Sequence, residues 1–249
     1  GIIEKADGYV YGAGIGGGGA DSSSGKATGG SVSASISGGT VNAKGGNNGA
    51  GIGGGGAYTN QNGTAKGGDA TDITISSGTV TAKGGGYGAG IGGGGASHPG
   101  GADYAGNNPS KDGAAIGGKA KVSISGGIIT AIGKLFDSVH GGVGIGGGSA
   151  AGLAKVNGGS GFTFGGYADI TISGGTIEAS GGGRSSALGG GHIYGYDSGS
   201  NGDADITVSS KDSALELTAK VSADYYNAVH GTLNNELASS PNAGYMALY

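Results

Sequence analysis

The residues best able to do chemistry are aromatics, amides and imidazoles gathered in the least regular parts of the chain. Tyr58 stands beside Asn60 and Asn62, and His98 precedes Tyr104, Asn107 and Asn108. Phe162, Phe164 and Tyr167 form a third group, and His192, Tyr194 and Tyr196 a fourth. A flat ring gives the C–H face of a sugar a surface to stack on, while amides and imidazoles hydrogen-bond its hydroxyls. On that chemistry Tyr58, Asn60, His98, Tyr104, Asn107, His192, Tyr194 and Tyr196 are the expected ligand-binding residues, with Tyr104, Tyr194 and Tyr196 exposed. For Phe162 and Phe164 the competing expectation is that their rings pack the segment down onto the molecule.

Other constellations are less specific. Asp197, Asn201 and Asp203 offer oxygens to calcium, but Gly199 stands where a calcium loop wants a third oxygen, and no glutamate closes the loop. Asp203 and Asp205 equally mark a loop and a strand start, as Asp72 and Asp169 do. The four histidines, His98, His140, His192 and His230, fall at unrelated places, so no zinc site is expected. Lys121 flanked by Asp72 and Asp169 resembles a base between carboxylates, yet alternating charge on stacked strands is the signature of outward pairing. Asp169 and Asp205 are too generic a pair to define a glycosidase. No catalytic residue and no cofactor are assigned, and the expectation is a protein that is not an enzyme.

These residues interrupt a repeat. GAGIGGGG occurs at Gly12–Gly19, Gly49–Gly56 and Gly88–Gly95, with a shorter form at Gly142–Gly148 and a worn one at Ser186–Gly191. Each copy holds one large apolar residue: Ile15, Ile52, Ile91, Ile145 or Leu188. No Lys-Ser or Lys-Thr comes after it and no helix opens, so this is not a phosphate loop. Several glycines per turn cost roughly 2–4 kcal/mol relative to alanine, which calls for a geometric reason. The reading adopted is steric, with glycine letting the wall bend sharply or the variable loop fold back across it, and a bare backbone face for a ligand is its rival.

A second motif accompanies each run: SASISGGTV from Ser33, DITISSGTV from Asp72, KVSISGGII from Lys121, DITISGGTI from Asp169 and DITVSS from Asp205. Ile73 and Ile75 alternate with polar residues, as in a half-buried strand, and Ser-Gly-Gly supplies a corner. Ile36 to Ile52, Ile75 to Ile91 and Ile172 to Leu188 are each sixteen positions apart, while Ile124 to Ile145 is longer by five. From each glycine run to the next strand the interval varies from 20 to 33. One side of the turn is therefore constant, and length variation is confined to the segment after the glycines, as in a solenoid with loops on one edge. The expected fold is all-β, a right-handed parallel β-helix of about five three-stranded coils. Its ladders would be Ile36, Ile75, Ile124, Ile172, Val208; Val41, Val80, Ile129, Ile177; and the isoleucines of the glycine runs.

Composition agrees. Glycine supplies 68 of 249 residues but only three are proline, which excludes collagen, and the spaced Ile and Val positions argue against disorder. A net charge of −4 with Arg184 as the only arginine argues against nucleic acid, and no apolar run is long enough to insert in a membrane. There is no cysteine and no leader at Gly1, which suits a mature or excised piece of an exported protein.

The alternation of ITISGGTVTA with GAGIGGG resembles glycine-rich β-helix repeats of bacterial cell-surface proteins described as carbohydrate-binding or adhesin-like. That resemblance covers residues 1–210 and implies an extracellular or cell-surface location, with glycans or a protein of a host or neighbouring cell as partner. Gly1–Gly12 aligns with the second strand of a coil, so the repeat begins mid-coil. A piece of a longer solenoid would begin so, and that is the favoured reading; otherwise the open edge invites end-to-end self-association into a fibre, the main alternative function. A polysaccharide lyase or glycosidase is the lesser one. Residues 211–249 are expected to form a C-terminal cap, a strand at 214–219 and then a short helix carrying Tyr225, Tyr226, Val229, Leu233 and Leu237.

Overall fold

The computed structural model describes all residues except 24, 60–62, 99–112, 137–138, 153–160, 196–197, 211–213, 222–226, 238–243 and 249. The described strands pair in parallel between successive coils, in sheets of 11, 6, 5 and 5 strands, and the chain is a parallel β-helix. The third coil shows the plan. Ala120–Ile124 and Ile128–Ile132 form two walls, and Ile145–Gly146 forms the third.

The three expected ladders are in register. Ile36, Ile75, Ile124, Ile172 and Val208 stack on the first wall. Val41, Val80, Ile129 and Ile177 stack on the second, extended by Ile3 at one end and Leu217 at the other. Ile15, Ile52, Ile91, Ile145 and Leu188 stack on the third. From Ile52 to Leu188 the third-wall side chains are fully buried, each stabilising the fold by about 1.5–3 kcal/mol.

The segments after the glycine runs are more ordered than loops. In the third coil the chain leaves the helix through Ala96–His98 in the preceding turn and returns through Ala114–Ile116. Equivalent outgoing strands (Ala20–Ser22, Ala57–Thr59, Ala150–Gly152, Ile193–Tyr194) stack in one sheet. The return strands (Lys26–Thr28, Thr64–Lys66, Phe162–Phe164, Ser198–Ser200) stack in another. Between them runs a second, narrower lumen filled by Ala27, Ala57, Ala65, Ala96, Ala115 and Ala150, all buried. The excursion strands are two or three residues long in every coil, so the coils differ in the number of residues between outgoing and returning strands and in the insertion before the third wall of the third coil.

Glycine joins the two lumens. Outgoing and returning backbones touch at a neck where only hydrogen side chains fit. Gly30, Gly55, Gly68, Gly94, Gly118, Gly148, Gly166, Gly191 and Gly202 form a single chain of N–H···O=C bonds of 2.7–3.0 Å, each donating to the one before, starting at the Gly18 carbonyl. A Cβ on Gly55 or Gly94 would lie 2.0 or 2.1 Å from a carbonyl oxygen. Gly53, Gly92, Gly146 and Gly189 beside the third-wall residues take φ of +136° to +147°, where side-chain-bearing residues are strained. Packing of backbone on backbone accounts for the glycine runs, whose interior copies are buried.

The described residues of 211–249 continue the stack. Leu215–Lys220, Val229–His230, Thr232–Asn235 and Gly244–Leu248 pair onto the second, third, first and second walls. The expected α-helix is absent among the described residues there, where Leu237 alone takes a 3-10 conformation, and Tyr225 and Tyr226 lie outside them. Val229 and Leu233, four apart as on a helix face, instead sit on adjacent walls. Gly231 turns the corner between them at φ +128°, so this last turn omits the excursion altogether.

Candidate functional site

The outgoing sheet presents one outward residue per coil. Register places Asp21, Tyr58, Ser97, Ala151 and Tyr194 in a row. Tyr58 and Tyr194 are three rungs apart, about 14 Å at ~4.8 Å per rung. The small Ser97 and Ala151 leave a trough between them. Tyr11 stacks on Tyr58 with centroids 5.6 Å apart and planes 5° from parallel. Asn48, buried beneath, donates its amide to the Ala57 carbonyl and to Ser97 Oγ, each at 2.8 Å, and so fixes the floor.

The far bank comes from the corner that precedes the third wall. Phe136 and His140 belong to a short hairpin made by the five extra residues of that coil, closed by a bridge between Leu135 and Gly141 and by the Phe136 N–H to the His140 carbonyl at 2.8 Å. The Tyr87 ring lies 5.1 Å from Phe136 and 5.8 Å from Tyr194, and His140 meets Tyr194 edge-on at 4.7 Å. Arg184 is exposed at the rim. With His98 and His192 these residues enclose a cleft of about 560 Å³, a size suited to a small ligand or a sugar unit.

Tyr58, His98, His192 and Tyr194, singled out in the sequence, therefore converge on one cleft. Tyr194 is not exposed as expected: its ring is 5% accessible and forms part of the wall. Its hydroxyl accepts from the Gly141 N–H at 3.1 Å and lies 2.9 Å from both the Gly141 carbonyl and Ser185 Oγ. Ser185 in turn reaches Ser149 Oγ at 3.2 Å, which accepts the His192 N–H at 3.3 Å. A tyrosine hydroxyl this close to the solenoid body finds backbone and serine partners, and satisfying them buries the ring.

The histidines are not unrelated in space. His98, His140 and His192 line this cleft, and His230 lies in an adjoining recess of about 150 Å³ that shares Arg184 and His192. Stacked coils bring together residues distant in sequence. Burial pushes the His192 imidazole down to a pKa of about 4, with the charges of His230, Arg184 and His140 adding to the effect. His98 is buried, its ring packed over Gly113, where a Cβ would fall 2.1 Å from Nε2.

Asn60, Tyr104, Asn107, Tyr196 and Asp197 lie outside the described residues. Asn201 Oδ1 accepts the Ile193 N–H at 2.9 Å and Asp203 Oδ1 accepts the Ala204 N–H at 2.8 Å, so these oxygens brace the backbone. Among the described residues no group of three or more His, Asp or Glu side chains is arranged to hold a metal. Phe162 and Phe164, expected as packing rings, are 47% and 41% exposed, parallel to within 7° on the outer face of the returning sheet. There the alanine lumen takes Thr163 between them, so both rings must point outward. Lys121 faces Asp169, which faces Asp205, on an outer surface, and Asp205 accepts the Tyr167 hydroxyl at 2.5 Å.

Tyr87, Phe136, His140 and Arg184 are not among the ligand residues expected from the sequence. Two features of the sequence point to them: the five-residue insertion in an otherwise constant half-turn, and the single arginine. The cleft's described lining holds aromatic faces, imidazoles and one guanidinium but no carboxylate. The chemistry these groups offer is a surface for stacking and donors for hydrogen bonds.

Four segments, residues 35–56, 73–95, 122–149 and 170–199, match the family model of a β-helix repeat. Each spans the strand, the corner and the glycine run of one coil. No curated protein and no solved structure gives a match.

Proposed function

We infer that this solenoid is a non-catalytic binding module that acts outside a bacterial cell and takes a glycan in the cleft between Tyr58 and Tyr194. The supporting observation is the trough itself. The accessible rings of Tyr58 and Phe136 and the half-buried imidazoles of His140 and His192 stand around a floor of small residues, with the Arg184 guanidinium at the rim. The resemblance of the repeat to bacterial surface repeats supports the location. A protein from a host or neighbouring cell is the nearest competing ligand, and competition by free sugar separates the two.

A glycan array followed by titration calorimetry tests the reading. Tyr58→Ala and Phe136→Ala remove accessible rings, and each is expected to weaken binding about tenfold while leaving the fold intact. Binding unchanged in both variants, or no glycan bound by the parent chain, would sink it. Release of reducing ends from the bound glycan would instead favour an enzyme.

A further inference from the structure

A second recess lies where the second wall ends, on the other side of the 134–142 hairpin from the aromatic cleft. Its volume is about 530 Å³. The rungs at its edge, read in register, are Lys44, Lys83, Ile132, Ser180 and Lys220. Lys134, beside the insertion of the third coil, lines the same recess. The floor is apolar and small: Leu135 and Val221 beside the backbone of Gly133 and Gly181.

This arrangement runs against the rest of the molecule. The chain carries a net −4, yet four lysines line one groove. Like charges directly opposite on neighbouring strands repel, and Lys44 and Lys83 are such a pair. Lys220 is met by Glu178 at 3.0 Å, and on the outermost strand Asp7 pairs with Lys5 at 3.2 Å. Among the described residues Lys44, Lys83 and Lys134 form no ion pair, and no carboxylate lines the groove.

Lys44 and Lys83 sit on adjacent rungs about 4.8 Å apart along the solenoid axis, and Lys220 stands three rungs beyond Lys83, about 14 Å on. A ligand that matches these charges is an extended polymer with anionic groups repeated along its length. Nucleic acid carries phosphates, but its bases need rings to stack on, and this groove has none. An apolar, glycine-floored channel edged by point charges fits the C–H faces and carboxylates of a saccharide. We propose that the groove binds a linear acidic polysaccharide lying along the solenoid axis, at a site separate from the aromatic cleft.

Fluorescence anisotropy with labelled polygalacturonate, in low salt, tests this on the 249-residue chain, with K83Q/K134Q and Tyr58→Ala as variants. Both lysines are exposed, and circular dichroism verifies that the variants fold. The expected result is saturable binding that weakens with added salt, falls about tenfold in K83Q/K134Q and is unchanged in Tyr58→Ala. Neutral dextran should not compete. The proposal is overturned if the parent chain does not bind the polymer, or if the lysine variant binds as well as the parent. It is equally overturned if only Tyr58→Ala loses binding, which would put the polymer in the cleft, or if single-stranded DNA of matched charge competes as strongly.

Discussion

His192 joins the chemistry of the cleft to the stability of the chain. Its imidazole is half-buried among Tyr194, Arg184 and two further histidines, and burial holds its pKa near 4 instead of the ordinary 6.5. A histidine that stays neutral in the folded chain but accepts a proton at ordinary pH when unfolded makes folding weaker in acid. Its contribution is fully present above pH 6.5, declines as the pH falls to 4 and is constant below that. The loss is about 2 kcal/mol, allowing for solvent at the half-exposed ring. Urea unfolding at pH 7.5 and pH 4.5 measures it. His192→Gln should remove most of the difference, and a variant with the parent's full pH dependence would assign that dependence elsewhere.

At the scale of the element, the glycine-rich strand is a device for bringing backbones together. Gly18 and Gly94 occupy the same place in two coils, three residues after Ile15 and Ile91. A Cβ on Gly18 meets nothing within 4 Å, whereas one on Gly94 lies 2.1 Å from the Gly55 carbonyl oxygen. Gly18→Ala should therefore be neutral or stabilising by about 0.5 kcal/mol, through the unfolded chain alone. Gly94→Ala forces the neck apart and should cost about 3 kcal/mol or more. Thermal melting of the two variants compares them directly; similar melting temperatures would show that the neck can yield. The same strand marks the limit of what the sequence reveals. Ile52, Ile91 and Ile145 are large residues at fixed intervals, so their ladder is legible. The side lumen is built from Ala57, Ala65, Ala96 and Ala115, which differ too little from their glycine surroundings to show an apolar period. The cleft is half legible for a related reason. Tyr58 and His192 lie in the variable segments where ligand residues are expected, but Phe136 and Arg184 reach the same place from the opposite corner of the turn. Only the stacking of coils reveals that meeting.

For the whole molecule, the neck makes each coil depend on its neighbours twice, through the wall ladders and through the glycine chain of hydrogen bonds. A solenoid of this kind has stability distributed as a sum of coil and interface contributions. The interior coils are symmetric in this respect. Ile73, Ile124, Ile172 and Ile206 are all but fully buried, and Gly94, Gly118, Gly148 and Gly166 each make two neck bonds, one closing their own excursion and one to the adjacent excursion. The first coil differs: Ile15 and Ile36 are only half-buried, and Ile2 is 71% exposed. The final turn lacks the excursion and so has no neck at all. Hydrogen exchange should therefore grade along the chain, slowest for the neck amides of Gly94 to Gly166 and faster by two to three orders of magnitude within residues 2–16 and 229–235. An alanine at Gly94 cuts the hydrogen-bonded chain in its middle, so it should speed exchange in the coils on both sides, while Gly18→Ala changes exchange nowhere beyond the first coil. Mass spectrometry of peptides from each coil reads this profile. Uniform exchange across all coils in the parent would mean that the solenoid opens as a single unit, and that the glycine neck transmits stability over its full length instead of between neighbours.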